Sequence, residues 1–296
     1  LGILRILKII LNQDFYLEYK DLINYLYKKI KEIRIEDYSP NLMTGLAGMA
    51  LALIDLEFYE DAIKIMDLAN NHIFLKNKNF SLFYGLPGIA YVNLYFYQKT
   101  KVSKFLNYSL NLANKIIKHQ KEFSDDKIYF NKYIGLANGN TGIAFLFISL
   151  FEILKDTYFL ELSIKTILFD LSFEINSNSG KKGFPFSIKN NYLSPYLEYG
   201  VAGISKVLFK IYYAINHNLN QNKLNQNYIS YIINHFQNKI KEYENSVLIF
   251  KYSNPNYFIG LSGIIDFLID IKSKFVINLF SLLQDFIIKT PFGLAF

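Results

Sequence analysis

The stretch Gly45-Leu46-Ala47-Gly48 runs directly into Met49-Ala50-Leu51-Ala52-Leu53, two glycines three apart opening an apolar segment. The same arrangement returns four times. Gly85-Leu86-Pro87-Gly88 leads into Ile89-Ala90-Tyr91-Val92, and Gly139-Asn140-Thr141-Gly142 into Ile143-Ala144-Phe145-Leu146-Phe147. Gly200-Val201-Ala202-Gly203 precedes Ile204-Ser205-Lys206-Val207-Leu208, and Gly260-Leu261-Ser262-Gly263 precedes Ile264-Ile265-Asp266-Phe267-Leu268. Ten of the chain's 15 Gly residues belong to this pattern. Self-similarity at intervals of a few tens of residues marks a fold built from one repeated supersecondary unit.

Working outward, a second, more amphipathic helical pattern separates the glycine pairs. It occupies residues 56–70, 105–119, 158–175, 227–243 and 271–288. The segment after each pair is apolar nearly all round, as suits a helix buried on both sides, whereas its partner keeps a polar face for solvent. Strand alternation is confined to short pieces such as Ile128-Tyr129-Phe130. The expected fold is therefore all-α: an α/α toroid of helical hairpins, with inner helices starting at the glycine pairs and outer helices half exposed. An open solenoid also stacks helix pairs, but there both helices usually keep an exposed face.

Glycines at i and i+3 share one side of a helix, and at a helix start they allow backbones to approach where a Cβ would clash. Packing is their first meaning. A second is electrostatic, because helix N-termini gathered at one cavity would favour an anion. The RNA-clamping glycine loop of KH domains is a poor match, since strands flank that loop and its middle residues are commonly basic.

Composition narrows the classes further. With 51% hydrophobic, 17% aromatic and 19% charged residues in 296, the chain is a folded protein with a large core. It has no Cys, which removes disulfides, thiolate zinc ligation and a Cys nucleophile. The net charge of +7 is spread, as in Lys28-Lys29-Ile30-Lys31, without a basic block. It reads as a solvated face suited to an acidic peptide, with no nucleic-acid partner. The longest apolar run, 142–151, meets Glu152 well short of a membrane span. Residues 1–11 carry Arg5 and Lys8 and lead to no cleavage site, so a cytoplasmic location is expected. The chain opens on Leu1, as a piece of something longer would.

Three phrases carry a family resemblance: NLMTGLAGMALAL (41–53), FYGLPGIA (83–90) and LSPYLEYGVAGI (193–204). With five glycine pairs in order, the chain resembles the lanthionine synthetase C-like family, the cyclase domains of lanthipeptide synthetases. The third phrase especially resembles the fused kinase–cyclase (class III) synthetases, and TPFGLAF (290–296) resembles the segment leading into the family's last repeat. The resemblance covers residues 41–296 and leaves 1–40 as a helical lead-in, part of the same toroid or a linker from an upstream domain. It implies a toroid of seven inner helices, of which five glycine pairs are visible, so an incomplete one is expected. The implied chemistry adds a peptide Cys thiol to dehydroalanine or dehydrobutyrine, closing a thioether ring. The implied partners are a precursor peptide and upstream kinase and lyase domains of the same polypeptide.

In the family's zinc-dependent members, a Cys and a Cys-His pair just before glycine pairs hold the metal. Here the corresponding residues are Met43-Thr44, Phe83-Tyr84, Ala137-Asn138, Glu198-Tyr199 and Phe258-Ile259. None is Cys or His, so no metal and no cofactor is expected. The four His (72, 119, 217 and 235) fall in segments assigned to the outer layer. Without zinc, thiol activation needs a general base. Glu198 is the carboxylate immediately ahead of a glycine pair and is the candidate base, although capping of the inner helix is an equally good role for it. Tyr84, Tyr199 and Asn138 hold equivalent positions and could donate to an enolate, or simply pack and cap. A peptide-holding scaffold without chemistry is the alternative. A glycoside hydrolase on the same fold would need a second carboxylate facing Glu198.

Overall fold

In the computed structural model of the chain, residues 15–32, 34–76, 78–176, 182–189, 193–218, 230 and 232–235 are described. They fall into two compact units, the described residues up to 79 with 83–115, and residues 80–82 with the described residues from 116 onward.

The first unit is helical. Its elements are α1 (Phe15–Glu32), α2 (Leu46–Asp55), α3 (Tyr59–Asn70), α4 (Leu86–Thr100) and most of α5 (Ser103–Ile117). Helices α2 and α4 each begin one residue after the first glycine of a pair. Pro87 sits in the first turn of α4, where a missing N–H leaves no bond unmade. Helix α2 buries Leu46, Ala47 and every residue from Ala50 to Ile54. Its partner α3 buries a single stripe, Ala62, Ile65, Met66, Ala69 and Asn70. The expected contrast between an all-round apolar helix and a one-faced one holds in this hairpin. Helix α3 starts three residues later than the apolar pattern suggested, because Leu56-Glu57-Phe58 make the turn and Glu57 takes φ 70°. Phe96 and Phe105 pack at 5.1 Å between ring centroids, joining α4 to α5. A buried amide pair links α3 to α4: Asn70 donates to Asn93 Oδ1 at 2.9 Å, and Asn93 donates back to Asn70 Oδ1 at 2.7 Å. Helix α1 lies against this hairpin, with Tyr27 stacked on Phe58 at 4.0 Å and its hydroxyl donating to Asp61.

The second unit holds α6 (Asn140–Leu154), α7 (Thr157–Leu171) and α8 (Val201–Asn218). It also holds two small sheets that the sequence pattern did not announce. Strands β1 (Lys121–Ser124) and β2 (Lys127–Tyr129) pair antiparallel, with Lys121 opposite Tyr129. Strands β3 (Ile175–Asn176), β4 (Lys182–Pro185) and β5 (Leu193–Ser194) form an antiparallel sheet in that order, with Ile175 opposite Gly183 and Phe184 opposite Ser194. These insertions account for the wider intervals between first glycines at 85, 139 and 200 compared with that from 45 to 85. Helix α6 is buried along almost its whole length, as expected of the helix after a glycine pair. Helix α7 differs from its expected half-exposed state: from Phe159 to Leu171 nearly every residue is buried. The β1–β2 hairpin explains it, since Tyr129 stacks on Phe169 at 4.9 Å and Phe123 meets the same ring edge-on at 5.1 Å.

His217 lies in the last turn of α8, the helix that opens at the fourth glycine pair, rather than in an outer helix. The fifth pair, Gly260 and Gly263, and the helix expected over 271–288 lie outside the described residues, as does most of that expected over 227–243. No described helix is long and apolar enough to cross a membrane.

Candidate functional site

The loops that approach the glycine pairs are built alike. The residue two before the first glycine is Met43, Phe83, Ala137 or Glu198. In the first unit the Met43 N–H donates to the Phe83 carbonyl at 3.0 Å, and in the second the Ala137 N–H donates to the Glu198 carbonyl at 2.8 Å. Successive approach loops thus share one main-chain rung at the same register.

The glycines are explained by each helix's own approach loop. A Cβ built on Gly200 would lie 1.9 Å from the Ser194 carbonyl oxygen, and one on Gly203 would lie 2.0 Å from that of Leu197. The loop wraps back so tightly that its carbonyls cap the helix start. Leu46 N–H donates to Ser39 O and Leu86 N–H to Asn79 O, both at 2.9 Å, and Ala202 N–H donates to Pro195 O at 3.3 Å. Donors that the sequence suggested for an anion are consumed by the loop, so these N-termini are capped rather than open.

The third pair is capped from another element. Asp170, fully buried on α7, accepts from Thr141 N–H at 2.8 Å, Thr141 Oγ1 at 2.6 Å and Gly135 N–H at 3.1 Å. Its second oxygen accepts from Asn140 Nδ2 at 3.2 Å. Asn140 in turn binds the incoming loop, accepting from Phe130 N–H at 2.8 Å and donating to Tyr133 O at 3.0 Å. Burial pushes the Asp170 carboxyl up to about 6 against the pull of these donors. One carboxylate therefore fixes the whole loop 130–141. Gly135 has φ +99° there, and a Cβ on it would sit 2.8 Å from Tyr199 Cα, so the third loop lies directly against the fourth.

Three of the candidate residues converge where those loops meet. Asn138 Nδ2 donates to Tyr199 Oη at 2.9 Å, and the Tyr199 ring stands edge-on to Phe186 at 4.7 Å. The neighbouring Glu198 carboxyl is half-buried; desolvation raises it above its ordinary range and the Tyr199 phenol pulls it partly back. Ser81 completes the cluster, with its Oγ 2.6 Å from Asn138 Oδ1 and 2.9 Å from Ala137 O. Tyr84 belongs to the first unit. It is 43% exposed and lines a cavity of about 250 Å³ with Phe74, Asn79 and Ile89.

The donor chemistry ahead of the glycine pairs does not suit zinc. A carboxyl, phenols, an amide and a threonine hydroxyl stand where thiolates and an imidazole would be needed. Among the described residues no three His, Asp or Glu side chains gather as a metal would require.

Sequence reading missed Asp170 and Ser81. Asp170 had a signal, a lone carboxylate inside the apolar run 167–171. Ser81, four residues ahead of Gly85, had none.

These features define an all-α protein of paired helices whose approach loops form the site. The chain belongs to the lanthionine synthetase C-like protein family, whose pattern it matches over residues 57–239. Among solved structures it is similar to one titled nisin cyclase, with a TM-score of 0.69 and 16% sequence identity, covering 96% of this chain and 77% of that one. The fold class is accordingly the α/α toroid that the glycine repeats suggested. Comparison with curated protein sequences finds no match.

Proposed function

We propose that the chain is a metal-free thioether cyclase domain of a lanthipeptide synthetase, adding peptide Cys thiols to dehydroalanine or dehydrobutyrine. The observation that carries this reading is the half-buried Glu198 carboxyl, raised by desolvation and next to the Tyr199 phenol, in a position where the family's zinc members place ligands. A raised carboxyl is better matched to a thiol than an ordinary one. Glu198 takes the thiol proton, and the thiolate sulfur bonds to the β-carbon of the dehydro residue as its C=C π bond breaks. The electrons move to the neighbouring carbonyl oxygen as an enolate, and the proton held by Glu198 returns to the α-carbon. The Tyr199 phenol, beside Asn138, bonds the enolate oxygen. Tyr84 is assigned the equivalent place ahead of the second glycine pair.

Residues 41–296 form the cyclase domain in this reading, with 1–40 as its lead-in. The partners are a precursor peptide and kinase and lyase domains of a class III synthetase in the same polypeptide, in the cytoplasm. The test is Glu198→Gln on ring closure of a peptide carrying dehydroalanine and Cys, followed by loss of the free thiol. A fall of about 10²- to 10⁴-fold is expected. An unchanged rate removes Glu198 from the mechanism, and peptide binding without acceleration identifies a scaffold instead.

A further inference from the structure

We propose that Asp170 is a positioning residue for the candidate base: it clasps both ends of the segment 135–141, whose middle sets where Glu198 and Tyr199 stand. The inference rests on the reading of Glu198 as base. The clasp is a single oxygen. Asp170 Oδ2 accepts from Gly135 N–H at 3.1 Å, from Thr141 N–H at 2.8 Å and from Thr141 Oγ1 at 2.6 Å. The first and last residues of the segment are therefore drawn to one point. The other oxygen, Oδ1, accepts from Asn140 Nδ2 at 3.2 Å and fixes the rotation of the carboxylate.

Between those ends the segment meets the candidate site, chiefly through main-chain atoms. Ala137 N–H donates to the Glu198 carbonyl at 2.8 Å. Gly135 lies so close to Tyr199 that a Cβ on it would stand 2.8 Å from the Tyr199 Cα. Asn138 Nδ2 reaches Tyr199 Oη at 2.9 Å. Residues 135, 137 and 138 thus all touch Glu198 or Tyr199. Asp170 and Thr141 are both 0% exposed, so the clasp meets no peptide and acts on the site through the loop. Moving a reacting group by about 1 Å can cost about 10²-fold in rate, so a clasp on this loop bears on turnover as well as on stability.

The experiment follows hydrogen exchange of the Ala137 amide by nitrogen-15 NMR, and ring closure by loss of free thiol, both in the full chain. Asp170→Ala opens the clasp. Ala137 exchange should then rise about 10- to 100-fold, and kcat should fall about 10²-fold with KM little changed. Asp170→Asn can keep one oxygen on Gly135 and Thr141 and should restore most of both. Asn93→Ala, which unpairs a buried amide in the first unit, is the control for lost stability and should move neither. Unchanged Ala137 exchange in folded Asp170→Ala overturns the inference, and so does a rise that Asn93→Ala reproduces. Glu198→Gln tests the base separately. If it slows closure and folded Asp170→Ala does not, the inference is overturned while the base stands. Unchanged closure in Glu198→Gln refutes the base and leaves Ala137 exchange to decide the clasp. If Asp170→Ala does not fold, Thr141→Val removes the shortest bond of the clasp at nearly constant shape. It should raise Ala137 exchange about fivefold, and no rise overturns the inference.

Discussion

Asp170→Asn separates the two things the buried carboxylate does. In the native protein Asp170 holds four donors: Thr141 N–H, Thr141 Oγ1 and Gly135 N–H on one oxygen and Asn140 Nδ2 on the other. An amide has one oxygen to offer. Turned toward Thr141, it sets its own NH2 against the Asn140 NH2, leaving a buried donor unpaired at a cost of about 1–3 kcal/mol. Asp170→Ala removes the acceptor of Thr141 N–H, Thr141 Oγ1 and Gly135 N–H, while Asn140 Nδ2 keeps Tyr133 O, and should cost about 3–5 kcal/mol. The pH dependence is the sharper part. The native carboxyl titrates at about 6 against an ordinary 3.8, so between these values the folded state keeps a proton that the unfolded state has lost. Its contribution to stability is complete below the unfolded value and is lost as pH rises through the folded one. Across that window the change is about 2–3 kcal/mol. The asparagine variant has no such titration, so its penalty relative to wild type should be larger at pH 4 than at pH 7 by that amount. Urea unfolding followed by circular dichroism at four pH values between 4 and 7 measures it. A penalty that is flat with pH, or larger at pH 7, would refute the account of Asp170 as a carboxyl raised by burial.

Other substitutions probe the loops and the core. Gly203→Ala places a Cβ 2.0 Å from the Leu197 carbonyl oxygen and must push back the loop carrying Glu198 and Tyr199, so it should cost about 1–3 kcal/mol and slow ring closure together. Gly183→Ala is the control, because its Cβ meets only the Val201 and Leu193 side chains, no nearer than 3.4 Å, and thermal melts should hardly move. Asn93→Ala strands the buried Asn70 amide and should lower urea stability by about 1–3 kcal/mol, whereas replacing both Asn70 and Asn93 by Leu should recover most of that loss.

Much of the helical plan was legible because it rests on local chemistry. Glycine pairs followed by apolar runs located the starts of α2, α4, α6 and α8 to the residue, since a helix that must admit its own approach loop tolerates no side chain there. The amphipathic pattern located α3, α5 and α7 within a few residues. The exposure of α7 was not legible, because its cover is a β-hairpin whose strands are too short to show alternation. The packing role of the glycines was legible, though not the partner. Spacing shows that a close approach occurs, but not that the approaching atoms are carbonyls six residues upstream. At the site, Glu198, Tyr199 and Asn138 were readable from their register ahead of glycine pairs. Asp170 and Ser81 act on that register from other elements, and such contacts leave no periodic trace.

Ring closure itself tests the central claim most directly. The full chain is mixed with a peptide bearing dehydroalanine and Cys in the presence of a strong metal chelator, and loss of free thiol is timed against the peptide alone. The account predicts closure well above the spontaneous rate, insensitive to chelator and reduced about 10²- to 10⁴-fold by Glu198→Gln. Closure at the spontaneous rate, or acceleration that chelator abolishes, would contradict it.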